Sequence, residues 1–221
     1  MKTDSQLQQD AIAELKWEPL LREAEIGVSA KQGIITLTGT VDTYSKKSEA
    51  EDAVKRVVGV KAVVEKIEVK YASDWAKKDD NDIATEIVNA FKWNMEVPSD
   101  KVTARVENGW VTLDGQVEWN FQSDAAKDAV TPLQGVTGVS NHIKVKSRTD
   151  SVIEKDEIES ALKRNWSVSD QNIDVAVSGH RATLSGTVAS WYQKDEAERI
   201  AWRAPGVWNV GNELVVDYDH S

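Results

Sequence analysis

The sequence predicts an α+β protein built from three tandem copies of one small α-β-β-α-β module. Three observations carry this. The stretches GIITLTGTV from Gly33, GWVTLDGQV from Gly109 and HRATLSGTV from His180 share the pattern Thr-Leu-x-Gly-x-Val. Their glycines Gly39, Gly115 and Gly186 are matched downstream by a second set, Gly59, Gly135 and Gly206, each followed by valine. Between those two sets the copies stay in one register, which unrelated segments would not do. The copies are expected over residues 1–72, 78–148 and 149–221.

Each copy opens on a helical stripe. Leu7, Ala11 and Leu15 are spaced four apart; Ile83, Ile87, Ala90 and Phe91 repeat the pattern, and Ile158, Ala161 and Leu162 echo it. Asp4-Ser5, Asp80 to Asp82 and Ser151 stand where N-caps and first-turn charges belong. Trp17, Trp93 and Trp166 follow, read as one repeat position at the helix end. Their spacing implies that the third copy has lost two residues before its first strand. Packing of helix against sheet is their expected role, since aromatics dominate small cores.

Two strands come next, alternating through Ile26, Val28 and Ala30, through Val102, Ala104 and Val106, and through Ile173, Val175 and Val177, each followed by the Thr-Leu-x-Gly strand. Gln32-Gly33, Asn108-Gly109 and Gly179-His180 lie between them as hairpin turns, Asn-Gly giving the strongest signal. A second helix buries Ala50, Ala53, Val54 and Val57 and their counterparts, and ends at the Gly-Val pair. A third strand closes each copy through Val63, Ile67 and Val69, Val139, Ile143 and Val145, or Val210, Leu214 and Val216. Both helices are expected on one face of each three-stranded sheet.

Composition narrows the function. The net charge is −10, and the third copy, with 7 basic against 13 acidic residues, is the most acidic. Phosphate backbones attract positive charge, so nucleic acid is not an expected partner. There is no cysteine, and His142, His180 and His220 lack metal-ligand spacing, so no metal or cofactor site is predicted. The acidic cluster Asp74, Asp79, Asp80 and Asp82 lacks the central glycine of a calcium loop and reads as linker and helix cap. No nucleophile elbow, phosphate loop or zinc helix is present, and the chain is not expected to be an enzyme. No signal-peptide pattern opens the sequence, so a cytoplasmic location is expected, or a periplasmic one if a presequence was removed.

The candidate contact residues are aromatic. Tyr44, Trp119, Phe121, Trp191 and Tyr192 cluster where the second strand hands over to the second helix. They read either as a tip for a membrane interface or partner, or as packing between copies or a helix staple. Trp202 aligns with Lys55, and Trp208 with Lys61 and Thr137, which places both at the surface or at a domain contact.

The second-strand motifs, the helix segments KKSEAEDAVKRVVGV, QSDAAKDAVTPLQGV and QKDEAERIAWRAPGV, and the Val-x-x-x-Ile/Leu-x-Val strands together resemble the BON domain. The arrangement is similar to three-BON proteins without a signal peptide. The resemblance implies a non-enzymatic role in osmotic or general stress, with transport-associated, phospholipid-binding, potassium-binding or chaperone activities as the family's range. It supplies no catalytic residues. Membrane lipid, a protein partner and a monovalent cation are therefore the candidate partners.

Overall fold

The structure, a computed structural model, describes residues 2–22, 24–70, 78–146, 153–169 and 172–217. Asp74, Ser151 and His220 lie outside these. The elements are α1 (Asp4–Trp17), a 3-10 turn at Pro19–Leu21, β1 (Glu25–Lys31), β2 (Ile34–Val41), α2 (Tyr44–Lys55) and β3 (Ala62–Val69) in the first copy. The second has α3 (Asp80–Trp93), β4 (Val102–Glu107), β5 (Trp110–Val117), α4 (Asn120–Val130), β6 (Gly138–Asn141) and β7 (Lys144–Val145). The third has α5 (Lys155–Arg164), β8 (Asn172–Ser178), β9 (Arg181–Val188), α6 (Trp191–Ala201), β10 (Asn209–Asn212) and β11 (Val215–Val216). By proximity the chain forms two compact units, residues 1–38, 49–66 and 149–221 in one and residues 39–48 and 67–148 in the other.

The second copy shows the module plainly. The Thr-Leu-x-Gly strand β5 is central, antiparallel to β4 and parallel to β6 and β7. The helix α4 makes the crossover that a parallel neighbour requires. Its glycine turn adopts left-handed φ at both residues, 52° at Asn108 and 77° at Gly109, the geometry whose twist matches a two-residue hairpin. Asp80, the first residue of α3, accepts hydrogen bonds from the backbone N–H groups of Asn108 and Gly109 and ties helix to turn. Asp4 does the same for Gln32 and Gly33. The caps proper are one residue earlier, at Thr3 and Asp79.

Ile83, Ile87 and Phe91 from α3 join Ala126 and Val130 from α4 and Val111, Leu113 and Val117 from β5 in one core. The helices thus share one face of the sheet. The third copy repeats this with Ile158, Leu162, Leu184, Val188, Ala197 and Ala201. In the first copy the order is β1-β2-β3, and Leu7, Leu15, Ile35, Leu37, Ala53 and Val54 are buried. The second helices stop at Lys55, Val130 and Ala201, several residues before Gly59, Gly135 and Gly206. Those glycines therefore sit at positive φ inside the following turn instead of capping the helix directly.

The third strand departs from expectation. It is continuous in the first copy but broken in the other two, where asparagine replaces Glu65. Asn141 accepts the N–H of Ile143 on its side-chain oxygen and donates to Ser123; Asn212 accepts from Leu214 and donates to the Lys194 carbonyl and Glu198. An asparagine that bonds the backbone two residues on substitutes a turn for the ladder.

The third copy is also not shortened. Asn94 and Asn165 both end their helices, and each side-chain oxygen accepts from the N–H two residues later, Glu96 or Ser167. Phe91 and Leu162, like Val97 and Val168, occupy the same places relative to these caps and are buried. One offset therefore holds from cap to strand. Trp166 is the counterpart of Met95, and Arg164 that of Trp93 and Trp17.

Candidate functional site

The helix-end tryptophans are not core residues. Trp17, Trp93 and Trp166 are 82%, 87% and 85% exposed. Helical geometry gives the reason. A residue two positions beyond buried Leu15 or Phe91 is turned by roughly 200°, onto the opposite face. Trp166 lies past the Asn165 cap, where the chain has left the helix. Other apolar side chains stand beside them, Leu20 in the first copy and Met95, fully exposed, in the second. Basic residues occupy the same helix ends: Lys16, Lys92, Lys163 and Arg164. Their position also complements the helix dipole. Near Trp17 a hollow of about 210 Å³ is lined by Ile12, Leu15, Leu21 and Ile26 with Lys16 and Arg22.

The strand-to-helix aromatics divide. Tyr44 is half-buried against the core of the second copy, and neighbouring Ser45 donates to the Thr131 carbonyl at 3.2 Å. It contacts a neighbouring copy in this structure. Trp119 and Trp191 are half-buried, and the indole N–H of Trp191 has no hydrogen-bond partner among the described residues. Phe121 and Tyr192 are exposed.

Trp202 and Trp208, expected at the surface or at a domain contact, are half-buried against their own copy. Trp202 packs on the core of its own copy and its indole donates to Glu198 at 3.3 Å. Trp208 stacks on His180 with ring centroids 3.5 Å apart, and His180 Nδ1 lies 2.9 Å from the Gly206 carbonyl oxygen. The third copy has used these tryptophans to close its own hairpin turn and helix end.

Charged groups form two arrangements that the sequence alone did not single out. In the first copy Arg56 is clasped by Glu14, Glu18 and Glu49, joining the end of α1 to α2. Burial opposes its charge, but the hydrogen bond it donates to Glu14 and the fields of the three carboxylates outweigh that and raise its pKa. In the third copy buried Glu196 pairs with Arg199 and accepts from Asn165. The Arg199 hydrogen bond, acting against burial, holds its carboxyl below the ordinary range. A carboxylate depressed in the folded state stabilises at neutral pH, above its unfolded pKa, and loses that contribution as pH falls through the folded value. Glu196→Gln should therefore lower stability at neutral pH and flatten the acid limb of the urea midpoint measured against pH; an unchanged limb would contradict this assignment. Burial raises the pKa of Asp195, with Lys55 of the first copy opposing.

Among the described residues no group of three or more His, Asp or Glu is placed to hold a metal ion, and no helix is long and apolar enough to cross a membrane.

Comparison with known proteins agrees with the repeated module. The chain is 31% identical over 129 residues to osmotically-inducible protein Y of Escherichia coli (strain K12), covering 57% of this chain and 64% of that protein. Two solved structures of CdsD, a structural protein of the type III secretion system of Chlamydia trachomatis, are 16% identical. They cover 95% of this chain and 91% of that one with a TM-score of 0.25, and for its C-terminal domain 98% and 100% with 0.23. At such TM-scores the likeness carries nothing about arrangement or function. The family model for the BON domain matches residues 3–71, 79–147 and 149–218, and the chain belongs to the BON-domain family.

Proposed function

We propose that this chain is a non-enzymatic stress-response protein that contacts phospholipid surfaces through the aromatic ends of its first helices. The carrying observation is the exposure of Trp17, Trp93 and Trp166, each above four-fifths, at one end of the first helix in every copy. Exposed tryptophan is disfavoured in water and suits a half-wet interface, where its ring enters the headgroup layer. The overall charge of −10 opposes an anionic leaflet. Lys16, Lys92, Lys163 and Arg164 counter it locally, since none makes an ion pair among the described residues. The osmotic induction in the relative's name fits a protein acting where membranes are strained.

Co-sedimentation with vesicles tests this. The chain is expected to pellet with phosphatidylglycerol-containing vesicles at low salt, and Trp17→Ala/Trp93→Ala/Trp166→Ala to lose most of that binding. These side chains are exposed, so each substitution should change stability by no more than about 0.5 kcal/mol. Absence of pelleting by the wild-type chain, or equal pelleting by the triple variant, would remove the reading.

A further inference from the structure

The three copies differ at the seam between first and second helix, and the difference follows a rule. In the first copy the seam is closed by Arg56 with Glu14, Glu18 and Glu49. The second copy has Pro132, Ala90, Asn94 and Ala125 at those four positions, so arginine and carboxylates are absent together. The third copy keeps the arginine as Arg203 and one acid as Glu196, but Glu14 and Glu18 are replaced by Ala161 and Asn165. Glu196 is already engaged by Arg199 and Asn165. Among the described residues the Arg203 side chain makes no hydrogen bond or ion pair, and it acts on Glu196 only through its field.

The missing side chains leave an open groove of about 540 Å³ between α5 and α6. Ala161, Ala204 and Pro205 contribute its apolar lining, and Arg164 joins Arg203 along it. Arg164 likewise has no side-chain hydrogen bond or ion pair among the described residues. Asp156 and Glu157 also line the groove, about 10–12 Å from Arg164 along the helix at 1.5 Å per residue.

We propose that this groove receives an amphipathic segment of a partner protein. Its carboxylates would occupy the place that Glu14 and Glu18 fill in the first copy. Charge complementarity has an internal precedent: in the first copy the same arginine position pairs with Glu14 on the first helix and Glu18 at its C-cap, besides Glu49. Small side chains at Ala161 and Ala204 let a backbone come close, and Asp156 and Glu157 fix polarity by favouring a basic residue at the other end of the segment.

The test uses the full chain and a fluorescein-labelled helical peptide with two glutamates four apart in one half, two lysines in the other and leucines between. Anisotropy should show saturable binding. Arg164→Glu/Arg203→Glu should weaken it by about tenfold, as expected for loss of two partly exposed ion pairs, and a peptide with lysine for each glutamate should recover affinity for that variant. Ala161→Glu returns the first copy's arrangement, so it should abolish peptide binding while raising the urea midpoint, which separates blocking from misfolding. Failure of the wild-type chain to bind, equal affinity in the double variant, or unaltered binding in Ala161→Glu would each overturn the proposal. So would loss of vesicle pelleting in Ala161→Glu, because the groove would then belong to the lipid-contacting surface.

Discussion

Gly186→Ala should destabilise the third copy by about 3 kcal/mol, a large effect for a single methyl group. Gly186 lies in the central strand at φ 117°, a conformation that side chains rarely adopt. A Cβ there would stand 2.0 Å from the carbonyl oxygen of Asn172 on the adjacent strand. That neighbour is backbone in an antiparallel ladder and cannot swing aside. Gly115 repeats the situation in the second copy, with φ 148° and the Lys101 carbonyl at 2.2 Å. Urea unfolding combined with amide exchange provides the measurement. Protection at Thr183, Leu184 and Val188 should fall in Gly186→Ala, whereas that at Thr112, Leu113 and Val117 falls in Gly115→Ala. A variant within about 0.5 kcal/mol of the parent would show that the strand relaxes more easily than its geometry allows.

Leu113→Ala should cost about 3–4 kcal/mol, in the range seen for leucine truncation in tight cores. The side chain is fully buried on the middle strand, in the core that both helices share. Leu37 and Leu184, at the same repeat position and equally buried, should behave alike. Trp93→Ala removes more atoms yet should leave the midpoint nearly unchanged, because its side chain is exposed. If Trp93→Ala proved as damaging as Leu113→Ala, the placement of the helix-end tryptophan would be wrong.

That contrast marks the boundary of what the residues disclose in order. The repeat, the hairpin turns and the buried leucines are legible because a strand alternates sides and a turn needs glycine or asparagine at fixed places. The exposure of Trp17 is also legible in its two-residue step from Leu15, which turns it away from the buried face. Trp166 is a poor marker of register; the asparagine caps at Asn94 and Asn165 carry it better, since a cap bonds the backbone directly. Trp202 and Trp208 replace lysine or threonine, yet they cover their own copy, because a substitution pattern does not say which side of a helix end has room. The Arg56 clasp could not be found by local pattern at all. Its members are up to 42 residues apart, and only the fold brings them together.

The broken third strands have a consequence for association between chains at high concentration. In each sheet this strand lies at a border, where unpaired backbone groups invite another chain to add on. In the second and third copies the asparagine turn leaves stretches of four and two residues, too short to template a continuous ladder. The border of the first copy runs unbroken for eight residues and presents Val64 to solvent. Among the third-strand borders only that of the first copy can therefore template a continuous ladder, while the opposite borders, β1, β4 and β8, are unbroken strands of seven, six and seven residues.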